Sequence, residues 1–273
     1  MNQQQSRTVL SEPATTPAIV LDGVGKTYKS SVAVRQISFS VMPGSVTALL
    51  GGNGAGKTTT IGMVMGLILP TTGTIRVLGA DMTRDRYSVL HRMNFESPYV
   101  DMPHRLTVRE NLNIFARLYS VPDRKARITE LAEDLALVEF LDRAAGELSA
   151  GQKTRVALAK ALINTPDVLL LDEPTASLDP DTADWIRTKL EAYQQRHRAT
   201  ILLASHNMAE VERLCDTVII MRKGEIVANQ SLPDLLARFG RDSLEDVFLD
   251  VARGRGQGAS LETDRAARED AEA

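Results

Sequence analysis

Residues 45–60 read SVTALLGGNGAGKTTT, and this stretch decides the fold. Its first six residues form a short, largely apolar run, as a buried strand requires. The next six carry glycines at positions 51, 52, 54 and 56. Lys57-Thr58-Thr59 then opens a run to about residue 69 that reads as a buried helix. Gly, four residues, then Gly-Lys-Thr, set between strand and helix, is the phosphate-binding loop pattern. The glycines let backbone N–H groups curl around phosphate oxygens, and the helix turns its free N–H groups and positive end to the same anion. The candidate phosphate site is therefore Gly51, Gly52, Asn53, Gly54, Ala55, Gly56, Lys57, Thr58 and Thr59. Lys57 is placed to reach the β- and γ-phosphates, and the Thr58 hydroxyl to sit on Mg²⁺. A glycine-rich turn that matches by chance is the plain alternative.

Downstream, residues 168–173 read VLLLDE, a buried-type strand that ends in two carboxylates. Asp172 at the strand end can hold Mg²⁺, and Glu173 can polarise an attacking water as general base. Alone, such a pair is a helix cap or a solvated turn; coupled to the upstream loop, it reads as catalytic. Residues 148–152 read LSAGQ at the start of an expected helix. Ser149 is a natural N-cap, and the same geometry of hydroxyl and free N–H groups also makes an anion site.

The 273 residues suffice for one large domain or two small lobes, and a hydrophobic share of 43% with 25% charged residues fits an ordinary globular chain. The formal net charge of -3 gives no support for nucleic-acid binding. Cys215 is the only cysteine, so no internal disulfide forms, which suits a reducing compartment. The polar N-terminal stretch lacks the apolar core of a secretory signal, and no apolar run is long enough to span a bilayer. Action on a membrane would need another chain to supply the span.

The organisation follows from patterning. Residues 1–17 are expected to be a disordered lead, and residues 253–273 a disordered tail. Short β-rich segments at 18–21, 37–41 and 74–78 suggest a small antiparallel sheet. From 98 to about 160 the chain reads as a helical lobe: Thr107 and Glu110 have capping-box spacing, 128–138 forms a second stripe, and a third helix runs from Ser149 to about 163. The α/β pattern then returns, with strands at 167–171 and 200–204, helices at 182–196 and 208–214, a hairpin about 218–228, and short helices starting near Ser231 and Ser243. The expected fold is α/β: a P-loop NTPase core with mixed sheet, an antiparallel β-subdomain and an α-helical subdomain, together spanning 18–252.

These motifs resemble those of ABC-type ATPases. That family carries a P-loop, a signature of the form LSGGQ, a strand ending in Asp-Glu, a Ser-Leu-Asp loop and a histidine. This chain has them in that order, at 51–58, 148–152, 168–173, 177–179 and His206. The resemblance covers roughly residues 18 to 250. It implies that Tyr28 stacks on adenine, with packing as the plain alternative. It implies that Asp179 communicates across a dimer, besides capping a helix, and that His206 contacts the γ-phosphate. It also implies that Ser149, Ala150, Gly151 and Gln152 serve the ATP of a facing subunit, since one chain has one P-loop and one signature.

The sequence departs from the family at three places. Glu96 stands where the family has its Gln-loop glutamine, with Ser97 as the other occupant if the loop shifts by one; a carboxylate there could ligate Mg²⁺. Ala150 replaces the first glycine of the signature, which is acceptable if that position has ordinary helix-start geometry. Gly52 stands where the family often has proline. The implied protein is an ATP-hydrolysing, Mg²⁺-dependent subunit, a homodimer in preference to a heterodimer, with a separate membrane permease. It would sit on the cytoplasmic face of the membrane. LSAGQKTRVALAKAL, LDEPTASLDP and the ending SLEDVFLDV also resemble ATPases of bacterial export systems for drugs, antibiotics, polysaccharides or lipo-oligosaccharides. A non-transport ABC ATPase of translation or DNA repair is the alternative; such chains carry two ATPase domains, coiled-coil insertions or zinc modules.

Overall fold

The structure is a computed structural model in which residues 16–97, 102–176 and 178–253 are described. Most of the expected lead and tail, together with Pro98 and Ser177, lies outside those residues. In chain order the elements begin with β1 (Ile19–Tyr28), β2 (Ser31–Val41), β3 (Val46–Leu50), α1 (Lys57–Val64), β4 (Thr72–Val77), β5 (Ala80–Asp81) and β6 (Met93–Glu96). Three helices follow, α2 (Val108–Leu118), α3 (Arg124–Asp134) and α4 (Ala150–Leu162). The chain continues with β7 (Val168–Asp172), α5 (Pro180–His197), β8 (Thr200–Ser205) and α6 (Met208–Leu214). It closes with β9 (Thr217–Arg222), β10 (Glu225–Ser231), α7 (Leu232–Phe239) and α8 (Leu244–Ala252).

Two sheets form. The antiparallel sheet has the order β2-β1-β4-β5, and the six-stranded sheet the order β10-β9-β3-β8-β7-β6. The second is mixed: β9, β3, β8, β7 and β6 run parallel, and β10 pairs antiparallel with β9. Strand β7 is buried on both faces, and its side chains alternate accordingly. Leu169 and Leu171 join the apolar cluster of α2, α3, α4 and α5, whereas Val168 and Leu170 join the cluster beneath the antiparallel sheet and α1. A third cluster gathers Val211, Val218, Leu235 and Val247 under the C-terminal helices.

The expected caps form. Thr107 and Glu110 make a reciprocal capping box on α2, and Ser231 and Ser243 cap α7 and α8. Two expectations fail. The apolar run 61–69 is helical only to Val64, because Gly66 turns left-handed at φ 69° and ends the helix. Leu67 and Leu69 then face outward, 75% and 56% exposed, so the run is not one buried helix. Strand β6 has no signature in the sequence: at four residues it is too short to show a period, and its pairing with β7 creates it.

Candidate functional site

Strands β3, β8 and β7 are neighbours and parallel, so the loops leaving their C-terminal ends meet at one edge of the sheet, where α/β folds build sites. From β3 comes the 51–56 loop. Gly56 has φ 105°, and a Cβ there would lie 2.8 Å from the Ala33 carbonyl oxygen. A Cβ on Gly51 would lie 2.6 Å from the Met221 carbonyl oxygen, so both positions require glycine for close backbone approach. Around Gly52 there is open space, so the site does not itself require glycine there.

Lys57, the first residue of α1, is buried and donates to the Gly51 carbonyl at 2.6 Å, which folds its ammonium back over the loop. The next residue, Thr58, donates its hydroxyl to Asp172 Oδ2 at 3.0 Å. Asp172 ends β7 and is buried. Burial pushes its carboxyl above the usual range, and the charge of Glu173 adds to this; the Thr58 hydrogen bond and Lys57 oppose it.

Glu173 leaves the strand with φ 57°, a left-handed conformation that costs a non-glycine residue about 1–3 kcal/mol. Its N–H still donates to the Ala204 carbonyl at 2.8 Å. The turn carries its side chain towards the loop that follows β8. There His206 Nδ1 lies 2.6 Å from Glu173 Oε2, and Lys57 Nζ lies 3.8 Å from Glu173 Oε1. Lys57, Thr58, Asp172, Glu173 and His206, separated by up to 149 positions in the chain, thus form one connected cluster.

Tyr28 ends β1 beside the same loop, through the hairpin that carries Ala33. The residue is 45% exposed, with Lys26 Nζ 4.9 Å from the ring centroid, so core packing does not account for it. Ser149 is the N-cap of α4: its hydroxyl accepts from the Gln152 N–H, and Gln152 Oε1 accepts from the Ser149 N–H. Ala150 is the first residue of that helix and is not among the positive-φ residues, which is the ordinary helix-start geometry expected of it. Asp179 caps α5 by accepting from the Thr182 N–H at 2.9 Å, and that bond holds its carboxyl below the usual range. Among the described residues, no hydrogen bond or ion pair joins Ser149–Gln152 to the 51–58 loop.

Glu96, expected as a metal ligand, has a neighbour from the helical lobe. Its carboxylate lies 2.9 Å from Lys160 Nζ of α4, with both side chains buried, so its partner is an ammonium and not the Thr58 and Asp172 oxygens. The reason is local. Strand β6 packs its end on α4, and a buried lysine is the group within reach. The alternative occupant, Ser97, is also buried.

One residue of the cluster's surroundings escaped sequence reasoning. Glu210 on α6 is fully buried, and it accepts from the Thr175 hydroxyl at 2.9 Å and from the Ser205 hydroxyl at 2.6 Å. The available signal was a glutamate next to Val211 on the inward stripe of a short helix.

The chain has counterparts among known proteins. The profile of the ABC transporter family matches residues 34–176. The chain is 39% identical over 231 residues to the Nod factor export ATP-binding protein I of Paraburkholderia xenovorans (strain LB400), covering 84% of this chain and 76% of that protein. It is 36% identical over 223 residues to the ABC transporter ATP-binding protein NatA of Bacillus subtilis (strain 168), covering 80% and 89%. Among solved structures, an ATP-binding subunit of an ABC transporter superposes with a TM-score of 0.78 at 26% identity, covering 86% of this chain and 99% of that one. A phosphate loop, an acidic strand end and a histidine meeting on the fold those proteins share leave one reading: the chain belongs to the ABC transporter family, as an ATP-binding subunit that hydrolyses ATP.

Proposed function

We propose that this subunit powers export through a separate membrane permease, working as a homodimer that closes on two Mg-ATP at the cytoplasmic face of the membrane. The observation that carries the reading is the contact of His206 with Glu173 at 2.6 Å, within reach of Lys57 and beside the Thr58–Asp172 pair. Lys57 binds the β- and γ-phosphates, its ammonium exchanging the Gly51 carbonyl for phosphate oxygens. Glu173 takes a proton from the attacking water, and His206 orients that carboxylate and meets the γ-phosphate. Tyr28 stacks on the adenine.

The residues present fit Mg²⁺. The Thr58 hydroxyl and the Asp172 carboxylate are oxygen donors 3.0 Å apart, and Mg²⁺ characteristically takes one or two protein oxygens and completes its shell with phosphates and waters. Bound there, the ion would neutralise phosphate charge during transfer.

Among the described residues, the hydrogen bonds of the signature at Ser149–Gln152 stay within its own helix, which leaves the N-terminus of α4 for an anion brought by a facing subunit. That supports a head-to-tail dimer, with Asp179 at its seam. No helix among the described residues is long and apolar enough to cross a membrane, so the span belongs to the permease. A cavity of about 390 Å³ between β6, α2 and α4, lined by Phe95, Phe115, Leu118 and Lys160, is the surface offered to it. The export direction rests on the relatives, one of which is named for export.

Purification of the tagged chain from membranes tests this. The expected result is a co-purifying polytopic membrane protein and ATPase activity in the complex. ATPase activity stimulated by RNA or DNA, with no membrane association, would replace transport by a role in translation or repair.

A further inference from the structure

The two loops that hold Glu173 and His206 are joined by a third acid. Thr175 follows Glu173 by two residues, and Ser205 immediately precedes His206. The Thr175 hydroxyl donates to Glu210 Oε1 at 2.9 Å, and the Ser205 hydroxyl donates to Glu210 Oε2 at 2.6 Å. Each oxygen of one carboxylate is thus assigned to a different loop. Ser205 Oγ also accepts the Asn207 N–H at 3.0 Å, so the turn is tied on both sides of His206. The helix that carries Glu210 is capped by Asn207, whose Oδ1 accepts from the Glu210 N–H. Glu210 is 0% exposed. Burial pushes its carboxyl up; the Ser205 and Thr175 hydrogen bonds and the charge of Arg187 on α5 oppose that, and the charge of Glu173 adds to it.

A buried carboxylate is an expensive way to fill space, since an apolar side chain of the same volume would pack there without desolvation. What the acid supplies and an apolar residue cannot is a fixed distance between two backbones. Two effects make that distance matter. Glu173 stands in a left-handed conformation that needs support, and its Oε2 meets both the His206 ring, with Nδ1 at 2.6 Å, and the His206 backbone N–H, at 3.4 Å, so the contact depends on how the two loops are spaced. A displacement of about 1 Å between reacting groups can lower a rate about a hundredfold.

We propose that Glu210 is a positioning residue for ATP hydrolysis, a strut that sets the separation of the Glu173 and His206 loops through Thr175 and Ser205. The proposal rests on the roles given above to Glu173 and His206. It acts on the chemical step, not on ATP binding, because none of its three bonds reaches the 51–58 loop.

The test compares Glu210→Leu, Glu210→Gln, Thr175→Val and Ser205→Ala with the intact chain, each checked for folding by thermal melt. Glu210→Leu is expected to lower kcat about tenfold or more while KM for ATP and the Kd for a fluorescent ATP analogue stay within about twofold. Glu210→Gln is expected to restore most of kcat, since its amide oxygen accepts from one hydroxyl and its N–H₂ donates to the other, which rotates to receive it. Each single-arm variant should lose a similar fraction as Glu210→Leu, and the pair together no more than either alone. In a His206→Ala background, Glu210→Leu should cost little further. Folded Glu210→Leu with the kcat of the intact chain would overturn the proposal. If that variant does not fold, the single-arm variants decide: kcat unchanged in both would overturn it equally. Glu173→Gln separates the two levels of inference. Retained hydrolysis there would remove the assigned roles themselves, whereas an inactive Glu173→Gln beside an unaffected Glu210→Leu would remove the strut alone.

Discussion

Strands β6 and β7 lie side by side and parallel, with Glu96 opposite Leu171, and each ends in a buried carboxylate. Burial pushes both carboxyls upward. Their partners differ. Asp172 meets the Thr58 hydroxyl beside the 51–58 loop, and under the proposed function its charge is matched by bound Mg²⁺. Glu96 meets Lys160 from the helical lobe, and its charge is matched from within the chain. The sheet fixes where a strand-end acid sits, while the element packed across from it fixes whether the acid is available for chemistry. One acid lies beside the phosphate-binding loop; the other is paired with Lys160 of the helical lobe.

The sharpest way to break this contrast is at the acid next to Asp172. Glu173→Gln keeps the shape but removes the proposed base, and hydrolysis should fall about 10²–10⁴-fold in a steady-state ATPase assay. ATP binding should survive, and gel filtration with Mg-ATP should show a trapped dimer. A monomer with ATP bound would leave the sandwich without support in the isolated subunit.

The next effect lies on the other strand and should appear in stability. Lys160→Met leaves Glu96 buried and unpaired, a change that costs about 3–5 kcal/mol. Urea melts should show that loss at neutral pH. The sign with pH follows from the direction of the shift. A carboxyl whose folded pKa is raised disfavours the fold above its unfolded pKa, and this penalty vanishes once both states are protonated. The deficit of Lys160→Met should therefore shrink as pH falls through the carboxylate range. The double variant Glu96→Leu with Lys160→Met should recover most of the stability, because a buried pair is often no better than an apolar one. Its ATPase should keep the Mg²⁺ dependence of the intact chain; a shifted Mg²⁺ curve would return Glu96 to the metal.

The difference between the two acids also marks how far the sequence is legible. Lys57, Asp172 and Glu173 are readable because each lies in a short contiguous pattern whose chemistry demands those residues in that order. The helical lobe is readable because Thr107, Ser149 and the apolar stripes carry their own start signals. Glu96 with Lys160 and Glu210 with Thr175 and Ser205 are pairings across 64, 35 and 5 positions, and nothing in the local pattern announces them. Lys160 is a lysine between two buried alanines, which is the single local hint that it answers a charge elsewhere. The end of α1 at Val64 was obscured for a different reason: Gly66 ends the helix by backbone conformation while the apolar composition continues.

The smallest effect expected on the fold is at Gly151, and it separates what the monomer needs from what a partner needs. A Cβ at Gly51 or Gly56 would run into backbone of the same chain, so those glycines are explained inside the subunit. A Cβ at Gly151 would meet only the Thr182 side chain at 3.5 Å, an ordinary contact, and its φ is not in the left-handed region. Since alanine is the better helix former, Gly151→Ala should leave stability unchanged or raise it by up to about 1 kcal/mol in a denaturant melt. If the α4 N-terminus receives the γ-phosphate of a facing subunit, the added methyl stands between the N–H groups and that anion. Hydrolysis should then fall by about tenfold, the rate equivalent of one weakened hydrogen bond, while ATP binding to the monomer is unaffected. A folded, more stable and catalytically poorer protein places the need for glycine in the partner. Activity equal to that of the intact chain would place Ser149–Gln152 outside the reaction and leave them as the start of a helix.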